Sequence, residues 1–300
     1  MPNLPKAKRS LALVAAFLTT LCLAAQIKVN YRDGDFTLSG FNTFNATLEN
    51  GGVQFSGDGV PVSIEITSSG VVVTGKSAQG TTQKDASGNY YLKEAVINGD
   101  AHLSVDSQKA YEYASRRKDS TQKPNGVTKT DITSDQIRYA GDAGTGRIDF
   151  PGAMNIDSTS TGSEVAKDQT KTDFTHTLHL TGANGFVTML VTSAPATNPL
   201  RTGDISGPVT YSGKSQTISK GITQETTFDG KADHMKFDFT QDPRTITLTG
   251  NVTLSSKGPA ASGDISADTV VVTVDANLNP VKIDISGSPT KTTMREVAKP

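Results

Sequence analysis

The stretch TITLTGNVTL, Thr245–Leu254, decides how this chain is read. Its apolar side chains, Ile246, Leu248, Val252 and Leu254, fall on every second residue, and the even position between them is Gly250, followed by Asn251. Gly-Asn can form a two-residue hairpin loop, but parity argues against one here. A hairpin closed at this point pairs Thr249 with Val252 and Leu248 with Thr253, mixing polar and apolar partners twice. One continuous strand puts Ile246, Leu248, Gly250, Val252 and Leu254 on one face, and the threonines with Asn251 on the other. The expectation is a single strand with a bend, a bulge or a close backbone approach at Gly250.

The pattern recurs along the chain. VINGDAHLS places Ile97, Gly99, Ala101 and Leu103 in matching positions, and RIDFPGAMNI places Ile148, Phe150, Gly152, Met154 and Ile156. TLHLTG gives Leu178, Leu180 and Gly182, and DFTLSG is a weaker copy with Phe36, Leu38 and Gly40. A constant shift aligns Asp135 with Asp233, Ile137 with Met235, Tyr139 with Phe237 and Ile148 with Ile246. A second phrase repeats as DITSDQIRY from Asp131, DISGPVTY from Asp204 and DISADTVVV from Asp264. Such repetition points to a stacked or elongated β architecture in which each unit buries its apolar face against its neighbours.

Composition fits that reading. The 300 residues are 35 % hydrophobic, with no Trp, which is lean for a thick core and suits thin sheets with one wet face. With 29 basic and 30 acidic residues the net charge is −1, so there is no basic footprint for nucleic acid. At the N-terminus, Lys6, Lys8 and Arg9 precede LALVAAFLTTLCLAA, and the chain turns polar at Gln26. A basic segment, a short apolar run and small residues read as a secretory signal over 1–25, cleaved after Ala24 or Ala25, with an uncleaved anchor as the alternative. The sole cysteine, Cys22, lies inside it, so the mature protein has no disulfide.

Strand signals dominate the rest. VSIEIT alternates Val62, Ile64 and Ile66 with polar residues; MKFDFT does the same with Met235, Phe237 and Phe239; TVVVTVD with Val270, Val272 and Val274; VKIDIS with Val281, Ile283 and Ile285. Turn signals stand at NGG from Asn50, SGDG from Ser56, ASGN from Ala86, QDP from Gln241 and DANLNP from Asp275. SQKAYEYASRRK is the best helix candidate, short enough to be a strand instead. The polar stretch Ser115–Lys129 is the strongest candidate boundary, giving an N-terminal β region over 26–114, a linker or loop over 115–130, a second β region over 131–290 and a tail over 291–300. Its Arg116-Arg117-Lys118 cluster reads as a solvated loop.

Catalytic grammar is missing. His176 and His179 lie three apart on one strand and so face opposite sides, which disfavours a shared metal site. There is no nucleophile elbow, P-loop or dinucleotide fingerprint. The expectation is a protein that is not an enzyme and needs no cofactor or metal.

The passage GKADHMKFDFTQDPRTITLTGNVTL, followed by ISADTVVVTVDANLNPVKIDISGSP, resembles the OstA-like family, the periplasmic lipopolysaccharide-transport proteins of the LptA and LptC type. Ala232-Asp233, Phe237, Leu248, Gly250, Asn251, Val252, Ile265, Ala267 and Asp268 carry the resemblance, which is best over 131–290 and looser over 27–110. The resemblance implies an all-β fold, an elongated V-shaped antiparallel β-jellyroll with an apolar groove for lipopolysaccharide or a similar lipid. Groove-lining residues would be Phe237, Phe239, Ile246, Leu248, Gly250, Val252, Leu254, Val270, Val272, Ile148, Phe150 and Met154. It also implies partners: related β-jellyroll transport proteins of the inner and outer membranes, and head-to-tail copies of the chain. Parity alone reaches the same inside face but not the lipid; an exported structural or adhesive β-solenoid with a dry core is the alternative.

Overall fold

The structure is a computed structural model, and it describes residues 27–31, 34–49, 51–86, 88, 90–116, 125–142, 145–166, 168–190, 200–259, 261–274, 280–287 and 291–296. The expected signal segment with Cys22, Arg117 and Lys118, and residues 275–279 of the DANLNP turn lie outside the described residues.

The protein is all-β. Its strands are β1 (Ile27–Tyr31), β2 (Gly34–Glu49), β3 (Gly52–Ile66), β4 (Val71–Lys84), β5 (Tyr90–Asp106), β6 (Gly126–Gly141), β7 (Thr145–Phe150), β8 (Met154–Val165), β9 (Lys171–Gly182), β10 (Asn184–Leu190), β11 (Leu200–Ser219), β12 (Ile222–Asp238), β13 (Arg244–Lys257), β14 (Ala261–Val274), β15 (Pro280–Ser286) and β16 (Lys291–Glu296). All belong to one sheet. Neighbours run antiparallel, so short local hairpins assemble nearly all of it. β7 and β8 together flank β6, β9 and β10 together flank β11, and β15 and β16 together flank β14.

The long strands are interrupted at matching heights. Register shifts fall between Thr74 and Ser77, Asn98 and Ala101, Ser206 and Val209, Lys231 and His234, and Thr249 and Val252. The pairing Ala101–Ser134–Met154–Gly182 runs just beside this line across four strands. It is a fold line that divides the sheet into an upper half, with Phe36, Ile64, Leu103, Ile132 and Val252, and a lower half, with Ile97, Ile137, Ile148, Leu248 and Val270. Bulges sharpen local twist and bend the strand. At two crossings both residues take positive φ, Gly99 (74°) with Asp100 (49°) and Gly250 (72°) with Asn251 (47°), a conformation that glycine, Asp and Asn accept most readily.

This accounts for the recurring sequence pattern. Gly250 lies inside one continuous strand, as parity requires, and Gly40, Gly99 and Gly182 stand at or beside the same line. The main repeats are stretches that cross the fold line, with their glycine where the sheet bends. Asp135 and Asp233, aligned by the repeat, both lie on this line as well. The SGDG phrase is not a turn. It runs inside β3, where a Cβ on Gly57 would stand 2.1 Å from the Thr43 carbonyl oxygen and one on Gly59 1.9 Å from that of Gly40. Glycine is used there for close backbone approach rather than chain reversal.

Glycine also accommodates aromatic rings. The Phe237 ring occupies the space a Cβ on Gly203 would need, Phe228 does so over Gly213, Phe55 over Gly80, and Tyr139 over Gly141 and Gly146. Rings lying across a neighbouring strand keep the interior thin, which is how a chain of this composition covers so long a sheet.

The inner face forms one apolar cluster from Phe36 in β2 to Val270 in β14, drawing on both halves. At the N-terminal end the halves meet. Tyr31, at the rim of the upper half, pairs in parallel with Tyr90, at the rim of the lower half, so the first five strands close in barrel fashion. The stretch SQKAYEYASRRK forms helix α1 (Ser107–Arg116). The Asp106 carboxylate accepts from the Gln108 and Lys109 N–H groups at its N-terminus, and Ala110 and Ala114 are its buried contacts. The stretch read as a linker contains the end of α1 and, from Gly126, the start of β6, which pairs along its length with β5. The stretch read as a tail contains β16.

Candidate functional site

Between the halves at the N-terminal end lies a void of about 20 Å³, walled by Ile64, Val71 and Leu103 from above and Ile97, Ile137 and Ile148 from below. That is room for one water at most, in an apolar setting that offers it no partners. This part of the interior is dry and closed.

Toward the C-terminus the same face opens. One cross-strand row runs Phe237–Ile246–Val272–Ile283, and a second, nearer the fold line, runs Met235–Leu248–Val270–Ile285. In the second row Met235, Leu248 and Val270 are buried and Ile285 half-buried. In the first row Phe237, Ile246 and Val272 are only half-buried, and Ile283 is 45 % exposed. Leu254 and Ile265, paired in the upper half, are half-buried too. Exposure of apolar surface therefore rises with distance from the fold line and with approach to β15. The floor is firm: the Phe237 ring stacks on Phe239 at 4.8 Å between centroids.

The sequence-derived candidates separate along this gradient. Ile148, Phe150, Met154, Leu248, Val252, Val270 and Phe239 are buried in the apolar interior. Phe237, Ile246, Leu254 and Val272 form the half-open strip, and Gly250 lies half-buried on the fold line. A Cβ on Gly250 would stand 2.5 Å from an Asp233 carboxylate oxygen, which also accepts a hydrogen bond from the Asn251 amide at 2.7 Å. Gly250 thus marks a bend held by a side chain of the next strand.

The outer face is polar, and three of the four histidines are paired there with aspartates of neighbouring strands: His102 with Asp131 at 3.0 Å, His179 with Asp157 at 2.7 Å and His234 with Asp204 at 2.5 Å. His176 faces the other side from His179 and stacks on Phe174. Burial raises the Asp131 carboxyl, but the Ser104 hydroxyl, Lys129 and His102 together hold it below its ordinary value. These pairs bind strand to strand across the sheet. Among the described residues no group of three His, Cys, Asp or Glu side chains is placed to hold a metal ion. A shallow cleft of about 550 Å³, lined by Asp157, Thr177, His179, Ser212, Thr227 and Asp229, lies in this region.

Sequence reasoning missed the His–Asp pairs and the gradient. The first join residues far apart in the chain; the second depends on how the rims meet. No family model, curated protein or solved structure matches the chain.

Proposed function

We propose that this protein is an exported carrier of a lipid amphiphile, with lipopolysaccharide as the favoured cargo. The single observation behind this reading is the half-open apolar strip, Phe237–Ile246–Val272–Ile283, continuous with a dry core yet only half-buried, and exposed at Ile283. Acyl chains laid on it would be withdrawn from water at roughly 25 cal/mol per Å² of apolar surface, without specific polar contacts. A folded sheet with a bend at Gly250 is what an open OstA-like jellyroll requires. In that role the protein works in the periplasm beside related β-jellyroll proteins of the two membranes. The dry N-terminal interior is the observation that favours the second reading, an exported structural or adhesive β protein.

A photo-reactive residue separates the two. Placed at Phe237, Ile246 or Val272, it is expected to capture lipid in cells, which mass spectrometry then identifies. Placed at Lys236 or Thr247 on the outer face, or at Ile97 in the closed end, it captures none. Equal capture at all positions, or none at the strip in a folded protein, overturns the proposal.

A further inference from the structure

The sheet ends at β15, which has β14 on one side and no strand on the other among the described residues. Its inward residues Val281 and Ile283 are 62 % and 45 % exposed, more apolar surface than an unpaired edge ordinarily presents. Its outward residues Lys282 and Asp284 form an ion pair at 2.9 Å and are both exposed. We propose that β15 pairs antiparallel with β15 of a second copy, about a twofold axis at Ile283.

The sequence of the strand is self-complementary in that register. Ile283 faces Ile283 of the second copy, and Val281 faces Ile285 on both sides of the axis, so the inner face stays apolar across the joint. On the outer face Lys282 stands opposite Asp284 of the second copy, twice. Directly opposed unlike charges and paired branched apolar residues both favour an antiparallel pair, and backbone hydrogen bonds supply the rest. The opposite end of the sheet is a poorer partner. β1 has only five residues, and its tip is tied to β5 through the pairing of Tyr31 with Tyr90. A symmetric joint uses the same edge on both copies and closes at two, whereas head-to-tail pairing would continue into filaments. The inference goes beyond the cargo reading and stands whether or not the strip carries lipid.

Charge exchange tests it. Lys282→Glu sets Glu against Asp284 at both contacts, and Asp284→Lys sets Lys against Lys282. Each variant alone is expected to dimerise about ten- to a hundredfold more weakly than the parent in sedimentation across a concentration series. Mixing the two variants restores both unlike pairs and is expected to restore the dimer at a one-to-one ratio. Ile283→Cys, in a Cys22→Ser background, is expected to give a covalent dimer on mild oxidation, because opposed residues of an antiparallel pair lie within disulfide reach. Circular dichroism and the thermal midpoint confirm that each variant is folded. A parent monomeric at all concentrations, association unchanged in either variant, a mixture that fails to recover, or a folded Ile283→Cys that stays uncrosslinked overturns the proposal.

Discussion

Replacing Gly250 with alanine tests the fold line at the residue from which the sequence reading began. Two costs arise. Gly250 has φ of +72°, and an L side chain there costs about 1–2 kcal/mol. The new Cβ would also stand 2.5 Å from the Asp233 carboxylate oxygen, 2.9 Å from its Cβ and 3.0 Å from its Cγ. The exposed Asp233 carboxylate can turn away, though its Cβ moves only with the backbone, and turning breaks the 2.7 Å hydrogen bond from Asn251, worth about 0.5–1.5 kcal/mol and nearer the lower figure on an exposed surface. The sum is about 2–3 kcal/mol, or a fall of about 4–10 °C in thermal midpoint for a chain of this size. Urea and thermal unfolding followed by circular dichroism read it directly. Gly152→Ala is the control: the position lies near the same line, with nothing within 4 Å of the added Cβ. It should be neutral, or slightly stabilising through the unfolded chain. In an Asp233→Ala background the contacts with Cγ and the carboxylate oxygen and the Asn251 bond are gone, and the backbone cost of Gly250→Ala remains together with the 2.9 Å contact to Cβ. A Gly250→Ala protein within about 0.5 kcal/mol of the parent, or a Gly152→Ala protein equally damaged, refutes the account of a bend held by glycine and Asp233.

The other expectations concern burial and pH. Val252→Asp puts a carboxylate at a fully buried position and is expected to cost more than about 4 kcal/mol and prevent stable folding, whereas Val272→Asp, on the half-open strip, should leave a folded protein with weakened lipid capture; unfolding curves and crosslinking yield distinguish them, and equal effects would dissolve the distinction between core and strip. Burial, with Asp229 adding to it, pushes the Tyr211 phenol well above its ordinary 10.0, and its hydroxyl donates to the Thr253 carbonyl at 2.9 Å. Because the unfolded chain releases this proton first, its contribution is complete below pH 10 and is lost as pH rises through the folded value. Tyr211→Phe should therefore lower stability at pH 7 by about 0.5–1.5 kcal/mol and flatten its decline above pH 10; a variant with the parent's alkaline slope contradicts the assignment.

Parity read the strands well because the side-chain period of a strand is fixed by the backbone and survives wherever one face is buried. Val62, Ile64 and Ile66 are buried as a set, as are Leu248 and Val252 on either side of the bend. What parity does not carry is the effect of a bulge on the next element. In β12 the inward residues are Phe228, Gly230 and Ala232 before the fold line and Met235 and Phe237 after it, so the alternation changes phase at Asp233. The helix was ambiguous because ten residues with two buried alanines give little periodic signal; what positions it is the cap at Asp106 and a backbone bond from Asp106 to Gly70 at 2.9 Å.

The candidate site was legible as a face but not as an opening. Phe150 and Phe237 look alike in sequence, each in an alternating run just before a turn or a break, yet one is fully buried and the other half-exposed. The difference lies in what stands across from them. Near Phe150 both half-sheets contribute apolar walls, and further toward the N-terminus their rims meet at Tyr31 and Tyr90. At Phe237 the row runs back through Gly203 and Val187 to Ile148 in the closed end, and forward through Ile246 and Val272 to Ile283, at the edge of the sheet among the described residues. Hydrophobic burial is non-directional, so the same residue types serve as core wherever the opposite wall is present and stay partly exposed where it is not. The location of that change is set by which rim contacts close, and those join Tyr31 to Tyr90 and one half-sheet to the other across separations that no local pattern records.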